Sequence, residues 1–217
     1  MLKLYYAPAA CSLAAHIALR EAELPHELQL VALKEGEHMK PGYELVHPLR
    51  KVPALRLVDG EMLTEVSAIL TFVALSSPQK GLLPIDGLAR VRAVEWMGLL
   101  SAAVHPSFWG FLVPGRFTSD VEAQGKIQGE AKARFFEMLR HVEQRLKQGG
   151  AALTKDSVLL DAYTFVFYLW GVRVKLPVNE LSEYSQLARR VAARPATREA
   201  LMAEGMSELL LGLGDAS

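Results

Sequence analysis

The chain has one cysteine in 217 residues, Cys11, so no disulfide can form within it and the fold must stand on packing, as in a reducing compartment. It has no charge excess, because 24 Lys and Arg offset 24 Asp and Glu; that balance lacks the electrostatic footprint of a nucleic-acid or anionic-membrane binder. No apolar run reaches the roughly 20 residues that cross a bilayer, and the N-terminus lacks the basic, apolar and small-residue segments of a secretory leader. The expectation is a cytoplasmic protein with no nucleic-acid, membrane or metal partner. Strand patterns are also missing after about residue 78, although 51% of the chain is hydrophobic. The core of the second part must therefore be helical.

What is present begins at once. Leu2-Lys3-Leu4-Tyr5-Tyr6 reads as a strand, turned by Ala7-Pro8. From Ser12 the apolar positions Leu13, Ala14, Ile17, Ala18 and Ala22 recur at helical spacing and predict an amphipathic helix ending near Leu24-Pro25. Glu27 to Val31 is a second strand, parallel to the first. Residues 34–43 lack a period and predict a loop with at most one short helix. Val52 to Val58 is a strand entered through Pro53, Asp59-Gly60 is a hairpin signal, and Glu61-Met62-Leu63 pairs back. Thr64-Glu65 opens a helix that ends at Ser76-Ser77-Pro78.

A Pro/Gly-rich linker at 79–87 separates this α/β unit (1–78) from a helical unit (88–217). The second unit is predicted to hold helices over Leu88 to Val104, Thr118 to Lys147, Val158 to Val172, Leu181 to Ala192 and Thr197 to Leu209, with a fraying tail from Gly212. The Val158 helix is apolar all round and belongs at the centre of a bundle.

Cys11 is either a small buried hydrophobe or a thiol at a helix N-terminus, where the dipole and free N–H groups favour thiolate or an anionic ligand. Ser12 reads as the helix N-cap. Val52-Pro53 is an ordinary edge proline or, if cis, a backbone clamp for a peptide-like ligand. Glu65 is a first-turn carboxylate at a helix start or an acceptor for a ligand ammonium. His105, before the aromatic run Phe108-Trp109-Gly110-Phe111, either finishes a helix or donates into a ligand cleft.

Taken together, KLYYAPAACSL, HIALREA, VPAL, LVDGEMLTE, AVH, DAY and ARPATREALMAEG occur in the order and spacing of a bacterial beta-class glutathione S-transferase, which the chain resembles almost end to end. The resemblance implies a thioredoxin-like βαβαββα domain, an all-α C-terminal bundle, a homodimer, and glutathione as co-substrate on the first domain. It places Cys11 opposite the glutathione sulfur with Tyr6 and Ser12 as neighbours. It also makes Val52 and cis Pro53 the clamp, Lys34 the nearest cation in the crossover, and Glu65 with Val66 the γ-glutamyl site. His105 then comes from the helical domain, and Trp109, Phe111 and Trp170 line the pocket for a hydrophobic electrophile.

Departures from the family pattern stand at five places, one of them the start of the DAY helix, where Val158 holds the capping position three residues ahead of Asp161 and Ser157 is displaced by one. His47-Pro48-Leu49-Arg50 replaces Asn-Pro-Lys-Gly and adds a cation near the cleft, Val66 replaces a serine or glycine, and Ala102 replaces a hydroxyl. Gly36 occupies the place of the crossover lysine, leaving Lys34 or His38 to substitute. The function implied is conjugation of glutathione to small hydrophobic electrophiles, in a detoxifying role. Thiol–disulfide exchange through Cys11 and a non-catalytic binding module are the alternatives.

Overall fold

The computed structural model describes residues 1–84, 87–148 and 157–211; the tail from Gly212 lies outside them. Strand β1 (Leu2–Tyr6) pairs in parallel with β2 (His26–Leu30) and antiparallel with β3 (Ala54–Arg56), and β4 (Met62–Thr64) closes the sheet in the order β2-β1-β3-β4. Between β1 and β2 lies α1 (Ser12–Glu21), and after β4 comes α2 (Val66–Ser76). The connection from β2 to β3 is made of three 3₁₀ turns at Leu33–Glu35, Glu37–Met39 and Tyr43–Leu45. It holds no α-helix, because Gly36 and Gly42, both at positive φ, break the segment before a second turn can propagate. The unit is a mixed four-stranded thioredoxin-like sheet with helices.

The helical part comprises α3 (Gly87–Leu99), two short segments α4 (His105–Ser107) and α5 (Trp109–Leu112), the long α6 (Val121–Lys147), α7 (Val158–Arg173), α8 (Ser182–Ala192), α9 (Pro195–Ala203) and α10 (Glu208–Leu211). Asp120 caps α6, its carboxylate accepting from the Glu122 and Ala123 N–H groups at 2.9 and 3.3 Å. Residues Leu159, Leu160 and Ala162 to Gly171 of α7 are all buried, as expected of a helix with no polar face. Gly110 lets α5 lie against α6: a Cβ there would meet the Ala131 Cβ at 2.8 Å. The linker is itself packed, since Leu82 and Leu83 are buried and the Leu82 carbonyl accepts the Leu159 N–H at 3.3 Å.

Helix α1 is not amphipathic in the expected sense. Every residue from Ser12 to Leu19 is buried, because the helix is sandwiched between the sheet and the bundle helices α7 and α9. Its two charged end residues become cross-links to the bundle: Arg20 pairs with Glu199 at 2.8 Å, and Glu21 takes a two-pronged bond from Arg194. One helix thus carries Cys11 at one end and ion pairs to the helical unit at the other.

Candidate functional site

Cys11, not Ser12, holds the N-cap position of α1. Ser12 lies one residue inside the helix, where its hydroxyl accepts the Ala7 N–H at 3.2 Å and donates to the Ala7 carbonyl at 3.1 Å. Closing the loop twice on one residue satisfies both groups of a fully buried hydroxyl, which an N-cap bond would not. Tyr6, at the end of β1, is buried beside the His16 ring.

The Cys11 thiol donates to the Val52 carbonyl at 3.4 Å, and the Val52–Pro53 peptide is cis. The helix start was expected to favour thiolate, and the balance comes out the other way. Burial pushes the thiol up to about 12; the N–H groups of Cys11 and Ser12 and the Lys51 charge pull it down, Glu65 pushes it up, and desolvation wins. Cys11 is a neutral thiol at ordinary pH.

Glu65 precedes α2 with φ 67° and ψ 125°, a backbone region that non-glycine residues rarely adopt. Its carboxylate makes no bond to the helix N–H groups, so the capping role is not realised. Val66, which follows it, is buried. Lys34 sits exposed on the first crossover turn, and among the described residues it forms no ion pair or hydrogen bond.

The second wall of the site comes from the bundle. Helix α3 runs into a π-helical turn at Leu100–Val104, and this irregular turn delivers His105. The His105 ring lies 5.9 Å from Trp109 and 5.1 Å from Trp170, centroid to centroid. Burial, and secondarily the charge of Lys51, holds the imidazole down to about 4, so it is an uncharged donor or acceptor. Trp109 and Phe111 are half-buried, and Phe111 stacks on Phe108. Trp170 is buried and is a support behind the wall: its indole N–H donates to the Ala9 carbonyl at 2.9 Å.

Several residues that shape this site were not singled out from the sequence. Lys51 places its ammonium 4.5 Å from the centroid of the Trp109 ring, bridging the two units. Arg50, the cation expected near the cleft, instead reaches the Met39 carbonyl and Glu44, both at 3.3 Å. Behind the loop, Glu204 accepts the Ala9 N–H at 3.0 Å and pairs with His16 at 2.9 Å, both side chains fully buried. Arg20 donates to the other His16 nitrogen at 3.0 Å. The signal for this network was a histidine and a glutamate inside apolar helical stretches, where a polar side chain must have a partner.

The sequence model of the glutathione S-transferase N-terminal domain matches residues 10–75. A glutathione S-transferase of Escherichia coli O157:H7, GstA, is 33% identical over 94% of this chain and 100% of its own length. The chain belongs to the glutathione S-transferase family. A second transferase, GST-4.5 of Xanthomonas campestris, is also 33% identical, over 95% of this chain and all of its own. Among solved structures, a glutathione transferase homologue from Sulfitobacter with bound glutathione superposes with a TM-score of 0.88 at 29% identity, covering 95% of this chain and 99% of that one. A beta-class transferase from Sphingomonas chungbukensis gives 0.81 at 32% identity over 94% and 99%. In this glutathione S-transferase, the Lys51 ammonium over the Trp109 ring joins the unit that carries Cys11, Val52 and Glu65 to the one that carries His105.

Proposed function

We propose that the protein conjugates glutathione to small electrophiles and is of the beta class, with glutathione on the unit of residues 1–78 and the electrophile against the unit of 88–217. The observation that carries this reading is the thiol of Cys11 donating to the carbonyl of Val52, which marks where a peptide-like thiol would lie. Bound there, the glutathione sulfur would meet a neutral Cys11 thiol and the N–H groups at the start of α1. Both stabilise a thiolate, and neither requires Cys11 to react. Glu65, held in a strained conformation and not used as a cap, would accept the γ-glutamyl ammonium. The thiolate then attacks an electrophile held near His105 and Trp109: a C–S bond forms, the leaving group departs with its electron pair, and the glutathione proton goes to solvent.

Retention on immobilised glutathione and turnover of 1-chloro-2,4-dinitrobenzene test the reading, with Cys11→Ala keeping most of the conjugation activity. No binding at millimolar glutathione would overturn it. Abolished conjugation in Cys11→Ala, with disulfide reduction lost in parallel, would favour the exchange reaction, in which Cys11 forms a mixed disulfide resolved by a second glutathione. A homodimer and a cytoplasmic, detoxifying role complete the proposal. The dimer is supported by an open apolar groove of about 610 Å³ lined by Leu57, Leu63, Phe72, Leu75, Val94 and Met97. No helix among the described residues is long and apolar enough to cross a membrane.

A further inference from the structure

We propose that Lys51 makes this site selective for electrophiles that carry an anionic group, such as a carboxylate, on an aromatic frame. The inference rests on the conjugation reading above and names the class of second substrate. Most charged side chains whose contacts surround the site already have a partner. Arg20 is bonded to Glu199 and His16, Arg50 to Glu44 and the Met39 carbonyl, and Glu204 to His16 and the Ala9 N–H. Lys51 differs: its ammonium lies over the Trp109 ring at 4.5 Å and, among the described residues, has no carboxylate or carbonyl acceptor.

A ring face attracts a cation but takes none of its three N–H donors in a directed bond, so the donors remain available to an incoming anion. The charge faces the reacting centre from the correct place. It acts on Cys11 and His47 in its own unit and on His105 in the other, always against positive charge or in favour of negative. Glu65, the opposing charge, acts on Cys11 and His47 but not on His105. The electrophile side, between Trp109 and His105, is therefore net attractive to an anion, with an uncharged histidine and aromatic rings beside it. An aromatic acid matches both features, its ring against Trp109 or His105 and its carboxylate on the Lys51 ammonium.

The test uses the full chain with saturating glutathione and a matched pair of substrates, 4-chloro-3-nitrobenzoate and its methyl ester. In both, glutathione sulfur adds to the ring carbon, the nitro-activated ring takes up the electron pair, and chloride leaves with the pair of its broken bond. Each substrate's own reactivity cancels in the ratio of wild type to variant. Lys51→Met should lower kcat/KM about tenfold more for the carboxylate than for the ester, the cost of a lost charge-assisted contact; any effect of the charge on the shared glutathione sulfur is common to both substrates. Lys51→Arg should restore the carboxylate rate.

Equal losses on both substrates, or a raised KM for glutathione that accounts for the change, would assign Lys51 to glutathione or to the fold and overturn the proposal. No change on either substrate overturns it as well. A readout without chemistry is quenching of tryptophan fluorescence by 3-nitrobenzoate against 3-nitrobenzamide, where only the acid should bind more weakly to Lys51→Met. If wild type turns over neither substrate of the pair nor 1-chloro-2,4-dinitrobenzene, the conjugation reading itself fails. If it turns over all three without preference in these ratios, only the role of Lys51 fails.

Discussion

The loop that carries Cys11 has two sides, and they are built on opposite principles. On the back, Ala9 sits at φ 52° with both backbone groups held by the helical unit: Glu204 accepts its N–H, and Trp170 donates to its carbonyl. Glu204 is bonded in turn to His16, and His16 to Arg20, so the polar groups that hold Ala9 are themselves held. On the front, Cys11 has one long bond to Val52, and Lys51 lies over a ring with no acceptor among the described residues. A buried polar network that is fully satisfied fixes geometry, whereas polar groups left facing one another across a cleft are those a ligand can complete. The back positions the loop and the front does chemistry.

The contrast breaks first at Glu204. Glu204→Ala leaves the Ala9 N–H and the His16 Nδ1–H without their buried acceptor, and removing one partner of a buried pair costs about 3 kcal/mol. Urea unfolding should show that loss in midpoint at unchanged slope. A cost under about 1 kcal/mol would mean that the loop is held by packing alone and that the back is no more built than the front.

On the front, the charge state of Cys11 is the sharper question. Its thiol is raised to about 12 in the folded chain against about 8.5 when unfolded. The folded state therefore holds this proton more tightly, and the stability it contributes is complete below about pH 8.5 and lost as pH rises toward 12. Melting wild type and Cys11→Ala side by side should show wild type losing ground on the order of 3 kcal/mol between about pH 8.5 and pH 11. A difference that stays constant over that range would mean that the folded chain holds this proton no more tightly than the unfolded one, and Cys11 would then become a candidate nucleophile.

Much of the fold could be read before the structure, and the reason is local. Period-two and period-3.6 patterns mark β1, α1 and α6 directly, the long apolar run from Val158 to Val172 marks α7, and Asp59-Gly60 marks the β3–β4 turn. The crossover could not be read to the same depth, since its three short turns have no period. At the site, Cys11, Glu65 and His105 were legible because each stands at a helix end or beside an aromatic run. Their electrostatics were not. The helix terminus argues for a thiolate, and only the burial of Cys11 in the folded chain shows desolvation to be the larger effect. Lys51 was missed for a similar reason: a lysine beside Val52-Pro53 looks like solvated surface until Trp109, 58 positions later, folds over it.

Arg50 gives the finest test of which cation serves the cleft. It stands where relatives of the resembled class carry glycine, and the structure holds it at φ 52°, in the region glycine adopts without cost. Its side chain is turned to Glu44 and the Met39 carbonyl, both partly exposed contacts that contribute little. Arg50→Gly relieves the backbone and loses those contacts, so stability should move by no more than about 1 kcal/mol in either direction. The KM for glutathione and the preference for a carboxylated electrophile should both stay within about twofold of wild type, because Arg50 lends the cleft no charge. A loss of anion preference in Arg50→Gly comparable to that in Lys51→Met would move the selective cation one residue back along the chain. It would also mean that the outward ion pair with Glu44 opens when substrate arrives.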